Sequence, residues 1–160
     1  MTDRRSSTPA DRNRASVIIW AIAGAGLLLR LAPLLIPGGF LSYRVNYDEG
    51  VYFSAAALLA GGVVPYRDFV LVHPPGLSLL LAPVAGLALI FDPAVVFGAA
   101  RVLVAGIGVI NTVLAGRVAL HHFGPLAGVA AALLYATHPE TIREERGPML
   151  EPMLNLACLV

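Results

Sequence analysis

The chain has 160 residues, of which 58% are hydrophobic and only 13% are charged, and its formal net charge is +1. Ordinary soluble domains contain roughly 45–50% apolar and about 25% charged residues, so this composition argues against a soluble protein and favours a membrane protein. The sequence contains no motif typical of nucleic-acid binding, no glycine-rich phosphate loop and no paired cysteine motif. Its single cysteine, Cys158, excludes an intrachain disulfide.

The N-terminal region predicts a polar tail followed by a membrane span. Residues 1–15 are rich in Ser, Pro and Arg, which predicts disorder. The apolar run 17–36 has the length of about 20 residues that a bilayer core requires. Arginines before this run place the tail in the cytoplasm and the chain after Pro37 outside. Arg30, inside the run, is either a functional intramembrane charge or a side chain that snorkels to the membrane surface.

The segment 37–96 is the predicted outer loop, because it is polar and has no convincing span. Within it, 49–60 predicts a short helix with Asp48 as its N-cap and a Gly-Gly pair at its end. A second helix is predicted over 76–91. Both are shorter than the roughly 20 residues that a spanning helix needs, so we expect them to lie at the membrane surface.

Three further apolar runs predict spanning helices over 97–120, 122–138 and 148–160. Basic residues at the end of the first of these, led by Arg117, favour a cytoplasmic end there. If 76–91 lies at the surface, the two polar segments of the chain share the outer face. If it crosses, they lie on opposite faces. The last run has no polar end, so we expect an all-α polytopic membrane protein of which this chain is the N-terminal part.

Four motifs carry the functional signal. "NYDEGVYF" spans 46–53, "PYRDF" spans 65–69, "HPPG" spans 73–76, and "REERGPMLEP" spans 143–152. Together they resemble the bacterial relatives of protein O-mannosyltransferases and of the aminoarabinose transferases that act on lipid A, which are membrane glycosyltransferases of the GT-C fold. In that family the first outer loop carries an acidic motif, often Asp-Glu, and a His-Pro-Pro or Lys-Pro-Pro element. A second outer region carries an Arg followed by an acid.

The resemblance implies that residues 16–160 form the N-terminal part of a GT-C-type domain in the bacterial plasma membrane. It implies transfer of a sugar from a polyprenyl-phosphate donor to an acceptor hydroxyl of a protein, lipid or glycan on the outer face, with inversion. Because the phosphate leaving group is a weak base, the reaction needs a carboxylate base and cations rather than a general acid. A divalent metal requirement stays open, and we do not expect the fragment alone to be active.

The same resemblance assigns roles to individual residues. Asp48 is the candidate general base, and Glu49 is expected to orient the acceptor or support a metal. Arginine binds phosphate through two parallel hydrogen bonds, which makes the arginines of both polar segments candidate phosphate ligands. The predicted site has Asp48 and Glu49 as catalytic residues, and Tyr52, Arg67, His73, Arg143, Arg146 and Glu151 as substrate-binding residues.

Structural alternatives stand beside these assignments. Asp48 could act only as a helix cap, and Arg67 could form a local ion pair with Asp68. The charged residues over 143–146 could form a solvated loop. A transporter, in which the intramembrane arginine and the acids line a pathway, is the alternative class of function. An inactive relative that serves as a scaffold is a third possibility.

Overall fold

The computed structural model describes residues 8–34 and 47–160, and over these residues the protein is all-helical, which confirms the predicted all-α class. This part of the chain contains no β-strand; an isolated bridge joins Pro65 to Phe69. Short 3-10 turns follow the first and third helices at Ala32–Leu34 and Gly86–Leu89. The α-helices are α1 (Pro9–Leu31), α2 (Tyr47–Ala60), α3 (Gly76–Ala85), α4 (Pro93–Phe123), α5 (Pro125–Thr137), α6 (Pro139–Glu144) and α7 (Glu151–Leu159).

Helix α1 begins at Pro9, well before the predicted span. The Thr8 hydroxyl accepts a hydrogen bond from the Asp11 amide at 3.2 Å, and the Asp11 carboxylate accepts one from the Thr8 amide at 3.2 Å. This reciprocal capping box satisfies amide groups that a helix start leaves without partners. The predicted disorder of 1–15 is therefore wrong for residues 9–15, whereas residues 1–7 lie outside the described part of the chain.

The two helices of the predicted outer loop are present with shifted boundaries. Helix α2 begins at Tyr47, so Asp48 lies in its first turn and is not the N-cap that was predicted. Gly62, with φ +85°, follows the end of α2 in the left-handed region that glycine adopts readily. Helix α3 and its 3-10 turn occupy most of the predicted 76–91 helix. Residues 35–46, where the predicted first span ends and the loop begins, are outside the described residues.

Among the described helices, α1 with its 3-10 extension and α4 are long and apolar enough to cross a membrane. Helix α4 has 31 residues and extends the predicted 97–120 span at both ends, starting where Asp92 accepts the Ala94 amide hydrogen bond at 2.8 Å. Helix α5, which replaces the predicted 122–138 span, has 13 residues and a length of about 20 Å. That is less than the roughly 30 Å of a bilayer core.

Helix α4 is the central element of the fold. Its first half packs with α2 and α3 around Tyr52, Leu81 and Val104. Its second half packs with α1 and α5 around Ile19 and Ala132. Between these two apolar clusters lies a layer of buried polar side chains from α1, α4 and the turn after α6.

Candidate functional site

The candidate site begins with an ion pair between α2 and α4. The Arg101 guanidinium donates to the Glu49 carboxylate at 2.8 Å, and both side chains are almost fully buried. Arg101 also lies over the Phe97 ring, with its guanidinium carbon 4.7 Å from the ring centroid. Cation–π contacts of this kind add to the stabilisation of a desolvated arginine. Glu49 is therefore fixed inward at the start of α2.

The second polar segment meets the first at this ion pair. Gly147, in the turn after α6, lies so close to the Glu49 carboxylate that a Cβ atom there would overlap it. Only glycine allows the backbone to approach the carboxylate in this way. The structure thus brings the "DE" and "REERG" segments together, as expected for the alternative in which 76–91 does not cross the membrane.

Asp48 points to solvent while its neighbour Glu49 is buried. One turn further along α2, burial raises the pKa of the Tyr52 phenol, and the carboxylates of Glu151 and Asp48 raise it further. Asp48 of α2 and Glu151 of α7 therefore both lie close to this phenol. Both carboxylates are exposed and form the acidic surface of the site.

His73 lies next to Tyr52, with the two ring centroids 5.3 Å apart. Its backbone carbonyl accepts a hydrogen bond from the Tyr66 hydroxyl at 2.6 Å, which ties it to the preceding loop. Its Nδ1 is buried and has no hydrogen-bond partner within the described residues. Buried polar atoms are nearly always satisfied, so this nitrogen is an exception among the described residues.

A second buried ion pair lies deeper in the fold. The Arg30 guanidinium donates to the Glu145 carboxylate from Nε at 2.8 Å and from a terminal nitrogen at 2.5 Å. Asn111 and Tyr135 donate to the other carboxylate oxygen at 3.1 and 2.9 Å. Gly108 of α4 leaves the space for this pair, because a Cβ there would lie 2.7 Å from Arg30 Nε. Arg30 therefore does not snorkel, and Glu145 is not part of a solvated loop.

The predicted phosphate-binding arginines differ in their positions. Arg67 is exposed and forms a two-point pair with Asp68 at 2.9 and 2.7 Å, which is the local alternative. Arg143 is exposed and pairs with carboxylates on its own short helix, including Glu140 at 2.7 Å. Arg146 is half-buried beside Gly147, and its Nε donates to a carbonyl one turn earlier at 3.2 Å. Of the three, Arg146 is the one adjacent to the site.

An apolar groove with a volume of about 520 Å³ runs along α2 beside the site. One wall is the face of α2 that carries Tyr47, Val51 and Leu58. The other wall is the loop segment 69–71 that follows "PYRD". The groove is open to the surface and starts at the helix turn that carries Asp48. Its main lining side chains are Tyr47, Val51, Leu58, Phe69, Val70 and Leu71.

The sequence reading missed Arg101, Glu145 and Asn111. For Arg101 a signal was present, since an arginine inside a predicted span requires a partner. Glu145 has no such signal, because "EE" gives two adjacent acids and only packing shows which one is buried. Within the described residues, no three His, Cys, Asp or Glu side chains form a group that could hold a metal ion.

No protein-family model, no curated protein and no solved structure matches this chain.

Proposed function

We propose that this chain carries part of the active site of a GT-C-type polytopic membrane glycosyltransferase. The enzyme would transfer a sugar from a polyprenyl-phosphate donor to an acceptor hydroxyl, with inversion of the anomeric carbon and Asp48 as the general base. The motifs in "NYDEGVYF" and "HPPG" suggest this reaction class. Two helices long and apolar enough to cross a membrane are compatible with it.

The observation that carries the proposal is that one of two adjacent carboxylates is buried and the other is exposed. Glu49 is 5% exposed and paired with Arg101, whereas Asp48 is exposed at the same helix turn. Fixing Glu49 holds the first turn of α2 in one orientation, and this orientation presents Asp48 outward. A general base must be positioned within hydrogen-bond reach of the proton it removes, and a rigid helix turn provides that position.

The other residues divide into binding and supporting roles. Glu49 supports the site through Arg101, since its buried carboxylate is not placed to contact an acceptor directly. Arg146 and His73 are candidate ligands for the donor phosphate, because both are half-buried beside the carboxylate cluster. A cation close to the departing phosphate stabilises the charge that develops on it. Glu151 and Tyr52 are candidate contacts for hydroxyl groups of the sugar or acceptor.

The apolar groove beside α2 fits the lipid part of such a donor. Its surface is mainly apolar, and an isoprenoid chain placed there would leave water on binding. Burial of apolar surface contributes roughly 25 cal/mol per Å². In this arrangement the lipid would lie along α2 and the phosphate would lie close to its first turn, next to Asp48.

The test is a transfer assay in native membranes, with Asp48→Asn introduced into the chromosomal gene so that the protein keeps its natural length. Radiolabelled polyprenyl-phosphate sugars serve as donors. Asn keeps the shape of the side chain but cannot accept the proton. We expect transfer to fall at least about a hundredfold, and Asp48→Glu to retain measurable transfer.

Glu140→Gln is the matched control, because Glu140 is an exposed carboxylate outside the Asp48 cluster. It should leave transfer unchanged at equal protein level. Undiminished transfer by Asp48→Asn would remove Asp48 as the base and leave it a structural residue of α2. Absence of transfer by the wild type with a complete panel of donors would overturn the glycosyltransferase proposal.

A further inference from the structure

One end of the helical bundle carries basic side chains that the proposed reaction does not use. Ile19 of α1 packs against Gly116 of α4, and Ala15 shares an apolar cluster with Leu120. Since Arg30 of α1 instead lies next to Gly108, the two helices run antiparallel. The first turns of α1 and the last turns of α4 therefore lie at the same end. We call this the basic end, formed by Arg12, Arg14, Arg117, His121 and His122.

The side chains of the basic end are exposed. Arg12, Arg14 and Arg117 have no carboxylate within ion-pair distance among the described residues. The one described carboxylate on these turns, Asp11, accepts hydrogen bonds from the amide and hydroxyl of Thr8. By contrast, Arg30, Arg67, Arg101 and Arg143 each pair with a carboxylate.

Arg117 has a distinctive neighbour. Its guanidinium carbon lies 6.0 Å from the centroid of the Trp20 ring, and that ring is 51% exposed. The α1 surface next to Trp20 is apolar and exposed, with Val17 at 70% and Ile18 at 46%. Tryptophan beside arginine, at the border between an apolar helix surface and a charged helix end, is the arrangement found where proteins meet lipid headgroups.

We propose that the basic end binds anionic phospholipid headgroups, with Arg117 and Trp20 as the central contact. The Arg117 guanidinium would bind a lipid phosphodiester by donating two hydrogen bonds to it. The Trp20 ring would lie against the glycerol and upper acyl region. Arg12 and Arg14 would add long-range attraction to neighbouring headgroups. This inference depends on the basic end alone and stands independently of the proposed glycosyl transfer.

Charge complementarity selects lipid as the partner. Anionic lipids give a membrane surface a negative potential that attracts nearby arginines, by roughly fivefold in binding for each one. At the far end of α4, Asp48 and Glu151 are exposed carboxylates that would repel the same headgroups. The basic end is therefore the end of the bundle that an anionic membrane surface would attract.

The experiment measures lipid retention by the full chain. The protein is placed in nanodiscs with equal amounts of phosphatidylglycerol and phosphatidylcholine, released, and analysed by native mass spectrometry for bound lipid. We expect the wild type to retain phosphatidylglycerol preferentially. Arg117→Gln should lower that retention about fivefold, and raising the salt concentration should weaken it further.

Arg143→Gln is the matched control, because Arg143 is similarly exposed at the opposite end and already paired. It should leave retention unchanged. Equal retention of the two lipids by the wild type would overturn the proposal. So would an equal loss in Arg117→Gln and Arg143→Gln, since this would show that total charge rather than the basic end binds the lipid. Competition by inorganic phosphate as effective as that by lipid would also overturn it, because a lipid site requires the Trp20 contact.

Discussion

The described part of the protein contains two kinds of arginine–carboxylate pair, exposed and buried. Arg67 and Arg143 pair on the surface with acids one to three residues away in the sequence. Arg101 and Arg30 pair inside the protein with acids 52 and 115 residues away. An exposed pair forms between charged residues that are close in the sequence, and it contributes about 0–1 kcal/mol to the stability of the fold. A buried pair forms only in the complete fold, and removing one partner costs about 3–5 kcal/mol.

The comparison also shows how the site is assembled. Each buried pair joins a long apolar helix to a polar segment: Arg30 to the turn after α6, and Arg101 to the start of α2. These connections bring Gly147 against Glu49 and so place the two acidic segments together. The surface pairs connect nothing that is distant in the sequence. The arginines that determine the architecture are therefore those inside the apolar helices.

The largest effect is expected for Glu145→Leu, which leaves the Arg30 charge buried without its partner. The free energy of unfolding should fall by about 3–5 kcal/mol. It can be measured by denaturant titration of the protein in detergent micelles, followed by circular dichroism. The double variant Arg30→Leu with Glu145→Leu removes both charges and should lose less stability than the single variant. A single variant as stable as the wild type would contradict the importance of the buried pair.

Arg101→Met is expected to have the next largest effect, about 3 kcal/mol, because Glu49 would remain buried without its cation. Adding Glu49→Gln in the same chain removes the stranded charge and should recover part of the lost stability. The same denaturant titration measures both variants. If the added Glu49→Gln gave no recovery, the loss would reflect packing around Phe97 rather than the ion pair.

A smaller loss is expected for Gly147→Ala, because the new methyl group would overlap the Glu49 carboxylate. Overpacking of this kind costs about 1–3 kcal/mol. Gly106→Ala is a suitable control, since the space around Gly106 is open and alanine is favoured over glycine inside a helix by about 1 kcal/mol. Opposite changes in the denaturation midpoints of the two variants would support close contact of the polar segments. Destabilisation by both to the same extent would argue against it.

Arg143→Gln should have the smallest effect, a change in unfolding free energy within about 0.5 kcal/mol. Its guanidinium is exposed, and its pKa is raised mainly by the hydrogen bond to Glu144 and then by the charge of Glu140. The comparison with Arg101→Met under identical conditions isolates the effect of burial. A loss as large as that of Arg101→Met would remove the distinction between the two kinds of pair.

Several features of the fold follow from local sequence. The apolar runs predict the helices because lipid or a protein core must cover their side chains, and Asp92-Pro93 marks the start of α4 because aspartate caps a helix and proline needs no amide partner. Likewise, the Gly-Gly pair predicts the end of α2. Helix α1 starts before the predicted span, because the Thr8–Asp11 capping box begins a helix within a Ser- and Arg-rich stretch.

The candidate site was predicted only in part. The motifs identified the acidic turn that carries Asp48 and placed Glu151 and His73 near it, since the order of segments brings them to one face. They gave Asp48 and Glu49 different roles by resemblance, but only the structure shows that Glu49 is buried against Arg101 and that Asp48 is exposed. They also assigned Arg67 and Arg143 to phosphate binding, although local carboxylates already pair with both.

The amino-acid sequence by itself determined the helical class, the apolar surfaces and the residue types available for chemistry, because these depend on neighbours along the chain. Only the tertiary structure decided which charges are buried. Arg30 meets Glu145, and Arg101 meets Glu49, because α4 packs against α1 and also against α2 and α3. The energy of a charge depends on what surrounds it in space, and those surroundings are supplied by segments that are distant in the sequence.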